Sequence, residues 1–146
     1  MADPIPANLV MGFLGVGKTT AIRGLLQGHP AGERWAGLVN ECGEGGIDAG
    51  LLPRDGVAVR EVPGGCLCCV ASAAFGVGLV RLIRESRPTR LLIEPSGIGH
   101  PTQVIAQLTS GELARALDLR ASLALVDARK LGDPRYRDRK STRLNS

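Results

Sequence analysis

The sequence has few aromatic residues and no long apolar run. Aromatic residues make up 3% of the 146 residues, so a core must be built from Leu, Val, Ile and Ala. No apolar stretch reaches the roughly 18 residues that a membrane-spanning helix needs. The first seven residues lack the basic segment with which a secretory signal begins. We therefore expect a cytoplasmic protein without a membrane partner.

A strong charge imbalance is also missing from most of the chain. The net charge is +4, but seven of the 18 basic and two of the 14 acidic residues lie from position 129 onward, which leaves the first 128 residues at −1. A balanced domain lacks the electrostatic footprint of a nucleic-acid-binding protein, and we expect no such partner.

Residues 138–146 resemble a non-native tail on a truncated reading frame; an ordinary disordered end is the alternative. We predict a partial domain at 1–137 and a non-native tail at 138–146.

What the chain does contain is an alternation of short apolar runs with helical periodicity. Runs of strand length occur at 8–14, 35–40, 57–62, 90–94 and 121–126, and helical patterns at 19–26, 70–85 and 102–108. Strands that are continuously apolar are typical of a parallel sheet covered on both faces. The sequence therefore predicts a three-layer α/β fold with a mostly parallel sheet, truncated at its C-terminal side.

The segment from Gly12 to Thr19 matches the phosphate-loop pattern G-x-x-x-x-G-K-[ST], and a strand precedes it while a helix follows. Glycines let successive backbone N–H groups point at phosphate oxygens, and the following helix directs its positive end at the same anion. Lys18 adds a positive charge over the β- and γ-phosphates, and the Thr19 hydroxyl can bind Mg²⁺. The chain is therefore predicted to be a P-loop NTPase.

A phosphate loop needs an acidic partner for its metal ion, and Glu94 is the first candidate. It closes the predicted strand 90–94, at the edge of the sheet where α/β proteins bind ligands. Its carboxylate can hold a Mg²⁺-bound water, and the Gly97 N–H can contact a γ-phosphate. Asp48, in the glycine-rich loop 41–50, is the second candidate; for both acids a merely solvated carboxylate is the alternative. Lys18 and Glu94 are the predicted catalytic residues.

Three of the four cysteines, Cys66, Cys68 and Cys69, lie within four residues. Disulfides are rare in the cytosol, so this spacing favours metal or redox chemistry. A tetrahedral Zn²⁺ site needs four ligands, and one short loop supplies at most three. Further candidate ligands are Glu41, Cys42, Glu44 and His100. A redox pair and inert small apolar side chains remain alternatives.

Together these motifs resemble the N-terminal part of the CobW-type P-loop GTPases. GFLGVGKTT, VNECGEGGID, GGCLCC and LLIEPSGIGHP occur in the order and at the spacing of that family, and the GHP ending is similar to its YeiR-like zinc-binding branch. The resemblance implies binding of GTP, Mg²⁺ and Zn²⁺ (or Co²⁺), slow GTP hydrolysis, and delivery of metal to a client metalloprotein.

By position, the resemblance implies phosphate contacts from Gly12 to Thr20, a first switch at Glu41 to Asp48, a metal loop at Cys66 to Cys69 and a second switch at Glu94 to Gly97. The implied nucleotide contacts are Gly12, Gly15, Val16, Gly17, Lys18, Thr19, Thr20 and Gly97. The implied Mg²⁺ ligands are Thr19, Asp48 and Glu94, and the Zn²⁺ or Co²⁺ candidates are Cys66, Cys68, Cys69, Glu41 and Glu44.

Two features depart from the family pattern. Cys42 stands where the family usually has a bulky apolar residue, and it is either an added ligand or a smaller packing residue. The N-K-x-D motif that reads guanine is absent from the sequence, so GTP rather than ATP rests on the resemblance alone. The alternative function is a small P-loop kinase or ATPase with a structural zinc knuckle.

Overall fold

Strands and helices alternate along the part of the chain that the computed structural model describes, which is residues 3–13, 15–41, 56–63, 73–95 and 101–134. The elements are β1 Ile5–Gly12, α1 Lys18–Gln27, β2 Trp35–Glu41, β3 Val57–Pro63, α2 Ala73–Ser86, β4 Arg90–Ile93, α3 Pro101–Leu108, α4 Leu113–Ala116, β5 Leu117–Leu119 and β6 Leu123–Leu125. A short 3-10 helix, Ala128–Lys130, follows β6. Among these helices none combines the length and hydropathy of a membrane span.

The strands form one parallel sheet in the order β3-β2-β4-β1-β5, with β6 also paired to β1. β4 lies between β2 and β1, so the two strands that come first in the sequence are not neighbours in the sheet. Because all strands run in the same direction, their carboxyl ends meet at one edge. The predicted α/β class with a mostly parallel sheet is confirmed.

Side chains alternate between the two faces of the sheet and form two cores. On one face, Leu9, Leu38 and Ile93 pack with Leu79 of α2 and Val104 of α3. The opposite face carries a smaller core that α1 covers, formed by Val10, Ile22, Leu26, Val39 and Leu92. Helices therefore lie on both faces, which confirms the three layers.

Two boundaries differ from the sequence prediction. β1 begins at Ile5 rather than at residue 8, because its first residues pair with β5, in the register Ile5 with Leu117. The strand predicted at 121–126 is the shorter β6, and residues 120–122 separate it from β5, a strand that the sequence did not predict.

The Asn8 side chain bridges this interruption. Its Nδ2 donates to the carbonyl oxygen of Ala121 at 2.8 Å, and its Oδ1 accepts from Nη1 of Arg90 at 2.8 Å. The Arg90 guanidinium also lies over the Trp35 ring, 5.3 Å from the ring centroid. A polar chain thus links β2, β4, β1 and the β5–β6 connection on the face that α1 covers.

Candidate functional site

The phosphate loop, residues 12–19, connects the end of β1 to α1, and glycine is required at two of its positions. Gly17 precedes α1 with φ 100°, a left-handed conformation that other residues rarely adopt. At Gly12, with φ 154°, a Cβ atom would lie 2.7 Å from the carbonyl oxygen of Leu125 and 2.8 Å from Cγ1 of Val16. The loop therefore packs directly against β6, which only a residue without a side chain permits.

The N-terminus of α1 is open to an anion. No side chain caps the helix at Gly17, and its first turn contains no acidic residue. The first N–H groups of a helix and its dipole both attract negative charge, and here no carboxylate of the first turn neutralises them. This end of α1 is suited to a phosphate group.

Lys18 is buried, with 5% of its surface exposed, although it carries a charge. Its Nζ donates to the carbonyl oxygens of Gly12 at 3.0 Å and Phe13 at 2.9 Å. The side chain is thus folded back along the loop that it follows. A buried ammonium group held by backbone carbonyls is poised beside the helix N-terminus to meet a polyanion.

Thr19 and Glu94 are in direct contact, although 75 residues separate them in the sequence. The Thr19 hydroxyl donates to Oε2 of Glu94 at 2.7 Å. The Glu94 backbone N–H donates to the carbonyl oxygen of Leu38 at 2.8 Å, which extends the pairing of β2 with β4 by one residue. Glu94 is 7% exposed, so the carboxylate faces the loop rather than bulk solvent.

Hydroxyl and carboxylate oxygens side by side are the donors that Mg²⁺ prefers. The Thr19–Glu94 pair therefore fits this ion, next to the position that suits the phosphates. The structure thus brings the two predicted parts of a nucleotide site together, the loop with Lys18 and Thr19 and the acid at the end of β4.

The strand ends next to this pair belong to β2 and β3. Glu41, the last residue of β2, is the register partner of Pro63, the last residue of β3. The sequence that follows Glu41 contains Cys42, and the sequence that follows Pro63 contains the CxCC motif. Both cysteine-bearing segments consequently leave the sheet from adjacent strands, at the edge that carries the phosphate loop and Glu94.

The other predicted site residues divide into two groups. Gly15, Val16 and Thr20 lie in the phosphate loop or the first turn of α1, as predicted. Outside the described residues lie Cys42, Glu44, Asp48, Cys66, Cys68, Cys69, Gly97 and His100, together with the side chain of Glu41. Within the described part no group of three or more His, Cys, Asp or Glu side chains is arranged to hold a metal ion.

Sequence reasoning missed how β6 supports the loop. Leu125 is the register partner of Gly12, and its carbonyl oxygen fills the place of a Gly12 side chain. Asp127, just beyond β6, caps the 3-10 helix by accepting from the Arg129 backbone at 3.0 Å. The hydrogen bond from the Arg129 side chain also lowers the pKa of Asp127 below its ordinary value. The apolar run at 121–126 was the signal for a strand here, but it did not reveal the contact with the loop.

Comparison with known proteins agrees with this geometry. The sequence profile of the family described as "CobW/HypB/UreG, nucleotide-binding domain" matches residues 6–145. The chain is 51% identical over 126 residues to the zinc chaperone YeiR of Escherichia coli (strain K12), covering 86% of this chain and 38% of that protein. It is 33% identical over 141 residues to the zinc chaperone CobW of Sinorhizobium sp, covering 92% of this chain and 40% of that protein.

A solved structure has the same fold. The crystal structure of a Zn(II)-bound triple mutant of the YjiA GTPase matches with a TM-score of 0.59 and 28% sequence identity, over 88% of this chain and 42% of that one. The chain thus spans about two fifths of the length of the curated relatives it matches.

Proposed function

Because the chain belongs to the CobW/HypB/UreG family of nucleotide-binding domains, we propose that it is the nucleotide-binding part of a GTP-hydrolysing metallochaperone. The proposed cargo is Zn²⁺ (or Co²⁺), held by the CxCC loop and delivered to a client metalloprotein. The relatives named zinc chaperones, and those named zinc-regulated GTPase metalloprotein activators, support this cargo.

One observation carries the proposal: four functional segments start from one edge of the sheet. The phosphate loop follows β1, Glu94 follows β4, and the two cysteine-bearing segments follow the adjacent strands β2 and β3. The segments proposed to hold the metal start one and two strand spacings from the end of β4, and two and three from the end of β1, and neighbouring strands are only about 4.8 Å apart. This proximity supports coupling between nucleotide and metal.

In the proposed reaction the phosphate loop positions the triphosphate and stabilises the charge that develops on it. The N-terminus of α1 and the backbone of the loop would bind the phosphate oxygens. Lys18 would exchange its carbonyl partners, Gly12 and Phe13, for the β- and γ-phosphates. Because these donors are preorganised in a largely buried site, little rearrangement is needed as charge shifts in the transition state.

Thr19 and Glu94 would hold Mg²⁺ at the same phosphates. When bound, this ion neutralises phosphate charge and favours transfer of the γ-phosphoryl group to water. The protein contributes the placement of its ligands, because the hydrogen bond between the two side chains fixes them relative to each other before any nucleotide arrives. Asp48 is proposed as a further ligand.

The test is a Co²⁺ titration of the full-length protein with Mg²⁺ and either GDP or a non-hydrolysable GTP analogue, followed by thiolate-to-cobalt absorbance. Coupled sites typically differ by about 5–150-fold in affinity. We expect a difference of this size between the two nucleotide states. Linkage is reciprocal, so Zn²⁺ should change the affinity for the analogue by the same factor.

Two cysteine variants locate the metal in this experiment. Cys66→Ser should abolish the absorbance, because C-x-x-C thiolates act as a pair. Absorbance that persists in Cys42→Ser would assign Cys42 to packing, and its loss there would make Cys42 an added ligand. Equal Co²⁺ affinity with GDP and with the analogue would show that the two sites share a chain without being coupled. Absorbance that survives in Cys66→Ser would place the metal elsewhere.

A further inference from the structure

Helix α2 presents a face to solvent that the nucleotide site does not explain. Its buried residues, Phe75, Leu79 and Leu82, face the sheet. Residues advance by 100° around a helix, so the opposite side carries Val77, Val80, Arg81 and Arg84. We call these four residues the outer face of α2. The two valines are 51% and 37% exposed, and both arginines are exposed.

The outer face is positively charged among the residues that the structure describes. Glu85 is the one acidic residue in the sequence of α2, and it pairs with Arg60 of β3 on the flank of the helix. Within the described ranges neither Arg81 nor Arg84 has an ion-pair partner. The outer face therefore carries its valines in its first turn and its arginines in the next turn, and its complement is a surface with apolar groups and carboxylates.

Other occupants fit this chemistry less well. A membrane-surface helix inserts bulky side chains such as Trp, Phe or Leu, whereas this face offers two valines. A nucleic acid is disfavoured by the net charge of −1 over the first 128 residues. A second copy of this chain would use the same patch on both subunits. The arginines of one subunit would then face those of the other, and their like charges would repel.

We propose that the outer face of α2 docks an acidic, partly apolar segment of the client protein. This inference rests on the proposed function, in which Cys69, four residues before the first residue of α2, belongs to the metal loop. A client that takes metal from this loop must approach the start of α2, and the outer face begins one turn further along the helix. The valines supply contact area, and the arginines select clients that carry carboxylates.

The experiment places the photo-crosslinking residue p-benzoylphenylalanine at position 80 of the full-length protein in its own cells. Cross-linked peptides are then sequenced by mass spectrometry. We expect a cross-link to a segment of another protein that carries Asp or Glu beside apolar residues. Combining Arg81→Glu with Arg84→Glu should lower the yield about tenfold or more, because like charges then face each other.

Matched controls separate docking from general effects on charge and apolar surface. Arg115→Glu is the control for the arginine variants, because it also reverses an exposed arginine in the last turn of a helix. Val77→Glu tests the apolar part of the face, and its control is Val126→Glu, at a valine of similar exposure, 55% against 51%. Only the α2 variants should lower the yield. Replacing the acids of the mapped segment with Lys should restore cross-linking to the Arg81→Glu, Arg84→Glu protein.

Four outcomes would overturn the inference. These are a cross-link to another part of the same polypeptide, a cross-link to lipid, no cross-link, or a yield that charge reversal leaves unchanged. Co²⁺ binding and GTP turnover of each variant are measured in parallel. If both persist while docking fails, only the inference is wrong; if the cysteines bind no metal, the proposed function is wrong whatever the cross-link shows.

Discussion

At the scale of single residues, the site depends on two charged side chains that the fold buries. Lys18 is 5% and Glu94 is 7% exposed. Charged side chains are seldom buried unless hydrogen bonds compensate the loss of water. Here the loop carbonyls and the Thr19 hydroxyl provide those bonds. Both charged groups are thus hydrogen-bonded before any nucleotide binds.

Lys18→Ala should abolish measurable GTP hydrolysis in the full-length protein. The substitution removes the ammonium that stabilises phosphate charge in both the bound state and the transition state. Steady-state phosphate release measures the effect, with Gln27→Ala, an exposed residue at the end of the same helix, as the control. An unchanged kcat in Lys18→Ala would show that the loop is not catalytic.

Glu94→Gln should weaken Mg²⁺ binding and lower turnover while leaving nucleotide binding without metal much less affected. The amide retains the shape and an oxygen that accepts from Thr19, but it lacks the negative charge that attracts the ion. Mg²⁺ titrations at fixed nucleotide measure the difference, and Glu112→Gln, at an exposed acid far along the chain, is the control. Superimposable titrations of wild type and Glu94→Gln would exclude this carboxylate from the metal site.

The residues of the nucleotide site were predictable because each belongs to a short local pattern. Gly12 to Thr19 form one motif, and Glu94 follows an apolar run that ends at a glycine-containing turn. Glu94 was expected near the phosphate loop from the rule that ligands bind at the carboxyl edge of a parallel sheet, and the hydrogen bond between Thr19 and Glu94 agrees with this. The bonds from Asn8 to Arg90 and Ala121 were not foreseen, because no local pattern links residues so far apart in sequence.

At the scale of elements, the packing of α1 on β2 requires a residue without a side chain at position 37. A Cβ atom there would lie 2.8 Å from Cδ1 of Leu26 and 3.3 Å from Cγ2 of Ile22. Gly37→Val should lower the free energy of unfolding by about 1–3 kcal/mol, the usual cost of overpacking a core. Urea denaturation measures this change.

Gly24→Ala is the matched control in α1, with the opposite expected sign. No atom lies within 4 Å of a Cβ built at Gly24, and the position is helical and exposed. Alanine should raise the free energy of unfolding by about 0.5–1 kcal/mol, because glycine is the weaker helix former. Equal effects of Gly37→Val and Gly24→Ala would mean that α1 is not packed against β2 as described.

Strand limits were predicted more closely for β2, β3 and β4 than for β1. β2, β3 and β4 occur within one residue of their predicted limits, since apolar runs bounded by Gly, Pro or charged residues define them well. β1 begins three residues before its predicted start, because proline tolerates the extended backbone at position 6 and pairing with β5 holds residues 5–7 in the sheet. β5 was not predicted, because a strand of three residues is too short to produce a recognisable pattern. The Asn8 bond to the connection between β5 and β6 comes from a distant element.

At the scale of the whole molecule, nucleotide binding should raise thermal stability. A ligand at about 100 times its Kd stabilises the folded state by about 2.7 kcal/mol, which for a protein of this size shifts Tm by roughly 5–10 °C. Trp35, the one tryptophan in the sequence, packs under Arg90 and reports unfolding by its fluorescence. Mg²⁺ with GTP should produce the shift in wild type and not in Lys18→Ala. A Tm shift of equal size in wild type and Lys18→Ala would show that the nucleotide stabilises the protein without using the phosphate loop.

The division of the chain at residue 137 and its location in the cytoplasm stay predictions. Both concern the natural polypeptide, and the matched relatives are more than twice as long as this chain.

The position of β4 between β2 and β1 sets an order for biosynthesis. As the chain leaves the ribosome, β1 and the complete phosphate loop emerge first, but the strand that joins β1 to β2 is made about 80 residues later. Until residue 94 is outside the exit tunnel, Thr19 lacks its acidic partner and β1 lacks its central neighbour. A nascent chain consequently cannot assemble the nucleotide site from its N-terminal half. If the proposed function is correct, a nascent chain can bind GTP only after β4 has been inserted between β1 and β2.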